Sequence, residues 1–249
     1  MSEEMINENS DMENNSSEEK SREEIEKEFF AKIAEGRKDD PLIGVKLGSD
    51  DIFKSLMKIA RDDKNVVNVH DVTLYAAGLA GYACQASCME KYIVREKLQF
   101  NDKFHLIMTA RGEKYIFADC INEKLFTDKH SVWNLVSGMY KRMYPSLKVP
   151  TPAPFIKKVA ESVGDPNYMV CGEQTPEALT EMIALVWKNI YVKMKKYCPN
   201  SEEWPTLYAM VLQKCLVATK GMIDPKIAMN LIAEIAVFSS KIYIGDFGQ

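Results

Sequence analysis

From Val72 to Met89 the chain carries no charged side chain, and most of the stretch is alanine, glycine, serine and cysteine. At helical spacing it has two unlike faces. Tyr75, Leu79, Tyr82 and Met89 form a stripe of large residues, and Ala77, Gly81, Cys84 and Cys88 a stripe of small ones. A helix that is polar on neither face is buried on both. The stretch therefore predicts a central helix, from about Asp71 to Glu96, around which the rest of the chain packs. Its length reaches the ~18 residues of a minimal membrane span. Thr73, Gln85, Ser87 and two tyrosines, with few large aliphatics, argue against lipid, and no second such stretch accompanies it.

The whole chain has 249 residues, 46% apolar and 27% charged, the balance of a globular protein with a sizeable core. Its net charge of −4 is unevenly spread. Residues 1–28 hold eleven acidic and three basic side chains, and the remainder 25 and 29. The acidity belongs to a leader that reads as disordered over residues 1–21. Such a leader solvates; folding back to mask a basic surface is the sharper alternative. Lysine outnumbers arginine 26 to 6, which speaks against base-edge and bidentate phosphate recognition and so against a nucleic-acid partner.

The six cysteines, 84, 88, 120, 171, 198 and 215, are widely spaced and mostly in apolar, helical company. That pattern suits free thiols in a reducing compartment. The acidic, polar start is the reverse of a signal peptide and too acidic for a transit peptide. The expected location is the cytoplasm.

Ser21 and Glu24 form a capping-box signature before Ile25, Phe29 and Ile33, predicting a helix over 22–35 that stops at Gly36. Asp39 to Gly48 reads as a loop and Ser49 as the cap of a second helix, with Ile52, Leu56 and Ile59 facing inward. After the central helix the period changes. Lys103 to Ala110 and Glu113 to Cys120 read as a hairpin around Arg111-Gly112. A two-residue turn would set Met108 against Tyr115, Ile107 against Ile116 and Leu106 against Phe117. A three- or four-residue loop with Gly112 left-handed fits equally. Both faces are largely apolar, so the hairpin needs cover, either from helices or from a partner chain.

A helix from His130 to Tyr144 follows, then Pro145, Pro150, Pro152 and Pro154, then a short helix from Phe155 to Val163. The last third is helical. Thr175-Pro176, Ser201 with Pro205, and Asp224-Pro225 mark three starts. The last helix turns Ile227, Leu231, Ile235 and Phe238 inward and shows a narrow polar stripe of Lys226, Asn230 and Glu234. The expected architecture is mostly α, formally α+β: one helix-dominated domain over 22–249 around a buried central helix, with one β-hairpin. Residues 22–144 and 155–249 would be sub-lobes joined by the Pro-rich 145–154.

No phosphate loop, dinucleotide fingerprint, nucleophile elbow or metalloprotease helix is present. Cys84 and Cys88 share a helix face, and His105 and Cys120 on the hairpin could fold over them. A zinc site needs a second close pair, which is missing, and small thiols suit a close-packed face. No metal or cofactor is expected. His70 and His130 stand near helix starts, Asp119 reads as a turn former, and Cys171 lies too far ahead of the Thr175 cap for strong activation.

Two functions of different class lead, with regulated nucleic-acid binding masked by the acidic leader as a weaker third. The first is a non-catalytic interaction protein that self-associates, supported by the apolar hairpin and fourteen methionines. The second is a small-molecule-binding protein or enzyme with a pocket between the central helix, the hairpin and the C-terminal helices. Tyr75, Tyr82 and Tyr115 would be its aromatic walls and Gly78 and Gly81 its points of close approach. Cys84, Cys88, His105, Asp119 and Cys120 would be its polar groups.

Overall fold

The computed structural model describes residues 21–245. The acidic leader, apart from Ser21, lies outside them. The described residues form eight α-helices of ten or more residues, one short α-helix, four short 3-10 or π turns and one antiparallel hairpin. In chain order the α-helices and strands are α1 (Arg22–Gly36), α2 (Ile43–Ile59), α3 (Val69–Met89), β1 (His105–Met108), β2 (Lys114–Phe117), the short α4 (Asp119–Asn122), α5 (Val132–Met143), α6 (Ala153–Ser162), α7 (Pro176–Tyr197), α8 (Trp204–Ala218) and α9 (Pro225–Ser239).

The charge-free stretch is α3, and it is enclosed on all sides. From Val72 to Met89 every residue is buried except Tyr75, which is half-buried. The helix packs most extensively against α8 and α9, and also against α2 and α7. Its small residues set how close those neighbours come. A β-carbon at Gly78 would stand 2.8 Å from Ile183 Cγ1 of α7, and one at Gly81 would overlap the Ala236 carbonyl and the Ser239 hydroxyl of α9. Past Met89 the helix widens into a π turn, Glu90–Arg95, before releasing the chain.

α1 starts as the capping box requires: Ser21 N–H donates to the Glu24 carboxylate and Glu24 N–H to the Ser21 hydroxyl. Gly36 is its last residue, capped by a right-handed Arg37 rather than by a left-handed glycine. α2 begins six residues before Ser49. Ser49 lies inside it, with its hydroxyl donating to the Lys46 carbonyl, and Ile59 is exposed. The cause is tertiary. A β-carbon at Gly44 would overlap the Tyr197 carbonyl and the Arg37 side chain, and one at Gly48 would stand 2.8 Å from Tyr197 Cβ. The two glycines let α2 lie against the end of α7, and that packing outweighs their poor helix propensity.

α5 packs on α8, and α6 on α9, so the helices on both sides of the Pro-rich stretch rest on the C-terminal third. Buried side chains from Ile33 to Ile242 form one core cluster. The Thr175 and Asp224 caps accept the expected backbone N–H groups. On α9 two assignments reverse. Ile227 is exposed, and Glu234 is buried.

The hairpin register pairs His105 with Phe117, Leu106 with Ile116, Ile107 with Tyr115 and Met108 with Lys114. The loop is the three-residue alternative. Thr109 N–H donates to the Glu113 carbonyl, Gly112 N–H to the Thr109 carbonyl, and Gly112 has φ +85°. That shifts every pair by one place from the two-residue alignment.

Cover is one-sided. Tyr115 and Ile116 of β2 are buried, whereas all of β1 is exposed. The chain end lies along the far side of β2, joined to it by a single antiparallel bridge. Ile116 N–H donates to the Lys241 carbonyl, Tyr243 N–H donates to the Lys114 carbonyl, and Tyr115 bridges Ile242. Gln85, the one amide within the apolar span, holds this segment: its Nε2 donates to the Ser240 and Ile242 carbonyls.

Candidate functional site

Where the hairpin leaves the π turn, a cleft of about 610 Å³ opens, lined by Tyr92, Lys103, His105, Phe117, Asp119, Cys120 and Asn122 among others. Three of the ten sequence candidates, His105, Asp119 and Cys120, share it. His105 reaches it from the exposed β1, Asp119 is the exposed first residue of α4, and Cys120 is half-buried. No hydrogen bond among the described residues joins His105 to Asp119 or Cys120, so the set lacks the linked nucleophile, base and orienter of a catalytic triad.

Behind Cys120 lies Cys88, completely buried on α3. Interaction with Cys120, then burial, pushes the Cys88 thiol up, while interaction with Cys88 holds Cys120 below the usual thiol range. One turn back on α3, Cys84 is also completely buried, and burial pushes it up to about 12.

A fourth group went unread in the sequence. Lys241, in the turn after α9, is only 4% exposed. Its Nζ donates to Asn122 Oδ1 at 2.7 Å and sits 5.5 Å from the centre of the Phe117 ring. Burial lowers the amine to about 8, against the opposing pull of Cys84, Cys120, Cys88 and Asp119. The available signal was a single charge in the run Ile235 to Ile244, which otherwise holds only apolar residues and serines.

The other candidates lie elsewhere. Gly78 and Gly81 are approached by α7 and α9, as described, and Tyr82 packs edge-on against Trp187 at 4.9 Å. Tyr75 is half-buried near the start of α3, where burial and then Asp71 raise its phenol. Tyr115 faces a separate cleft of about 400 Å³ between the hairpin, the start of α7 and the chain end, and burial pushes it up to about 12.

A second polar centre was also missed. The buried Glu234 carboxylate accepts from Lys158 Nζ at 2.6 Å, Cys171 N–H at 2.8 Å and the Tyr168 hydroxyl at 3.2 Å. Cys171 holds a left-handed φ of +55°, uncommon for a residue with a β-carbon. Its thiol is pushed up to about 12 by burial and then by Glu234. The sequence clue, a lone acid on a nearly all-apolar helix, reads equally well as a solvated stripe.

Among the described residues no three His, Cys, Asp or Glu side chains stand close enough to share a metal ion, and no helix is long and apolar enough to cross a membrane. Comparison of the chain with models of known families, with curated proteins and with solved structures finds no match.

Proposed function

We propose that this chain is an interaction protein that pairs with a second copy of itself along the open edge of β1. The observation that carries this reading is the state of that edge. Leu106, Ile107 and Met108 are 47%, 46% and 67% exposed. Ladder bonds alternate along an antiparallel strand. Ile116 turns its N–H toward Lys241, away from β1. Its partner Leu106, and likewise Met108, therefore turn their N–H and C=O groups away from β2. An apolar edge whose backbone groups have no partner among the described residues is a template for another strand.

A second copy is the occupant that closes the assembly. The far edge of β2 is already taken by the chain end, so among the described residues β1 is the open side of the sheet. Antiparallel pairing about a two-fold axis through Ile107 would set Leu106 against Met108 of the other copy. That register uses the outward groups of both residues, sets Ile107 against Ile107 and covers both β1 edges. The edge is four residues long, so the association belongs to the weak, concentration-dependent class.

Sedimentation equilibrium over a wide concentration range tests the reading. A reversible monomer–dimer equilibrium is expected. Leu106→Pro removes one outward donor without removing a bond of the hairpin ladder, and should abolish the dimer. A wild-type chain that stays monomeric at the highest concentration ends the proposal.

Small-molecule binding remains a second reading, favoured by the convergence of His105, Asp119 and Cys120 on one cleft. A ligand screen by thermal shift, with His105→Ala as control, would detect it.

A further inference from the structure

Glu234 has two carboxylate oxygens, and the fold uses one. Oε1 takes all three donors, Lys158 Nζ, Cys171 N–H and the Tyr168 hydroxyl. Oε2 accepts no hydrogen bond among the described residues. The side chain is only 6% exposed, yet Oε2 is not sealed into the core. It opens to a cleft of about 390 Å³ that Glu234 lines, between α9, α6 and the loop before α7. A carboxylate oxygen so deeply placed is costly unless a donor reaches it.

Asn230 lies one turn before Glu234 on α9, so the two side chains share a face. It lines the same cleft, and its amide makes no hydrogen bond among the described residues. Leu231 and Ile227 occupy the rest of that face, and Phe155 of α6 joins them. Ile227 stands about 10 Å along the helix axis from Glu234. The wall therefore has two free acceptors at one end and an apolar strip running away from them. Its ionised groups are Glu173 and Glu234 against Lys158 alone, so with His70 neutral the lining carries one uncompensated negative charge. An anion would meet the lone pairs of Oε2, whereas a cation with N–H donors matches both the charge and the free acceptors.

We propose that this cleft binds a small primary alkylamine in its ammonium form. The nitrogen donates to Glu234 Oε2 and Asn230 Oδ1, two of the three bonds that an ammonium can make. The alkyl chain lies along Leu231, Ile227 and Phe155. Lys158 stays on Oε1 and does not compete for the same oxygen.

The test follows the amide chemical shifts of the full-length chain while hexylammonium chloride is added at constant ionic strength. Saturable shifts centred on Cys171 and Gly172 are expected, because Cys171 N–H is bonded to the same carboxylate. 1-Hexanol keeps the chain without the charge and should bind about tenfold more weakly, and hexanoate should not bind. Glu234→Gln should weaken hexylammonium by about tenfold. Ile227 is 61% exposed, so Ile227→Ser leaves the core intact. It should weaken hexylammonium by about threefold and leave methylammonium unchanged. That variant decides the matter if Glu234→Gln fails to fold. Four outcomes overturn the proposal: no saturable shift at Cys171 and Gly172, hexanol binding as tightly as hexylammonium, hexanoate binding in its place, or hexylammonium affinity unchanged in Ile227→Ser.

Discussion

Gly81 of α3 faces the Ala236 carbonyl of α9 with no room between them for a methyl group. The crossing of the two central helices depends on that missing side chain. Gly81→Ala should lower the unfolding free energy by about 3 kcal/mol, because the obstacle is backbone and cannot rotate away. At Gly78 the obstacle is the Ile183 side chain, so Gly78→Ala should cost less. Gly138, in the middle of α5, has no atom within 4 Å of an added β-carbon, and Gly138→Ala should gain ~0.5–1 kcal/mol. Urea melts of the three variants check the order; equal losses at Gly81 and Gly78 would refute the close-approach account.

The Arg37 fork ties α1 to the far end of the molecule. Nη1 and Nη2 reach the Glu203 carboxylate at 2.5 and 3.0 Å, and Nη2 also donates to the Tyr197 carbonyl at 2.7 Å. A lysine carries the charge but cannot make this three-way contact. Arg37→Lys should cost about 1–2 kcal/mol, with faster amide exchange confined to α1. Unchanged exchange there would show that Phe29, Phe30 and Tyr197, which stack at 5.0–6.2 Å, hold α1 by themselves.

Glu234 satisfies three donors in a buried position. Glu234→Leu would leave Cys171 N–H and the Tyr168 hydroxyl without their acceptor, and should destabilise by about 2–4 kcal/mol. Glu234→Gln keeps the shape and one acceptor and should fall between. Chemical denaturation ranks them, and a neutral Glu234→Leu would contradict the network.

Lys241 should make stability depend on pH with a definite sign. Its amine loses its proton near pH 8 in the fold against 10.5 for an ordinary lysine. Below pH 8 both states are protonated, and the fold bears the full cost of a buried cation. Between pH 8 and 10.5 the unfolded chain binds more protons, so this contribution to stability rises with pH. Thiols at Cys84, Cys198 and Cys215, pushed up to about 12 by burial, slope the opposite way once the unfolded chain ionises its own. The lysine is therefore read as a difference. Any advantage of Lys241→Met over wild type should shrink by up to about 3 kcal/mol across that window. A flat difference would mean that the amine titrates normally.

The sequence alone determined those features whose causes are local. The missing charges from Val72 to Met89 require burial all round, whatever the neighbours are. The Ser21, Thr175 and Asp224 caps place helix starts because a cap is a bond between residues at most three apart. The hairpin was legible from its change of period, and its loop only as one of two alternatives, since Arg-Gly suits both lengths.

What crosses the chain was decided by the tertiary structure. Gly44 and Gly48 read as loop until Tyr197, about 150 residues on, gives them a surface to approach. Glu234 reads as solvated until Lys158, Tyr168 and Cys171 arrive from another element. In the thiol cluster, Cys84, Cys88, Cys120 and His105 were legible as chemistry, but which of them would meet was not. Lys241 comes to their side only because the chain end returns beside β2. Helical and strand periodicity follow from backbone geometry within a few residues, whereas burial and electrostatic environment are set by whichever distant segment packs there.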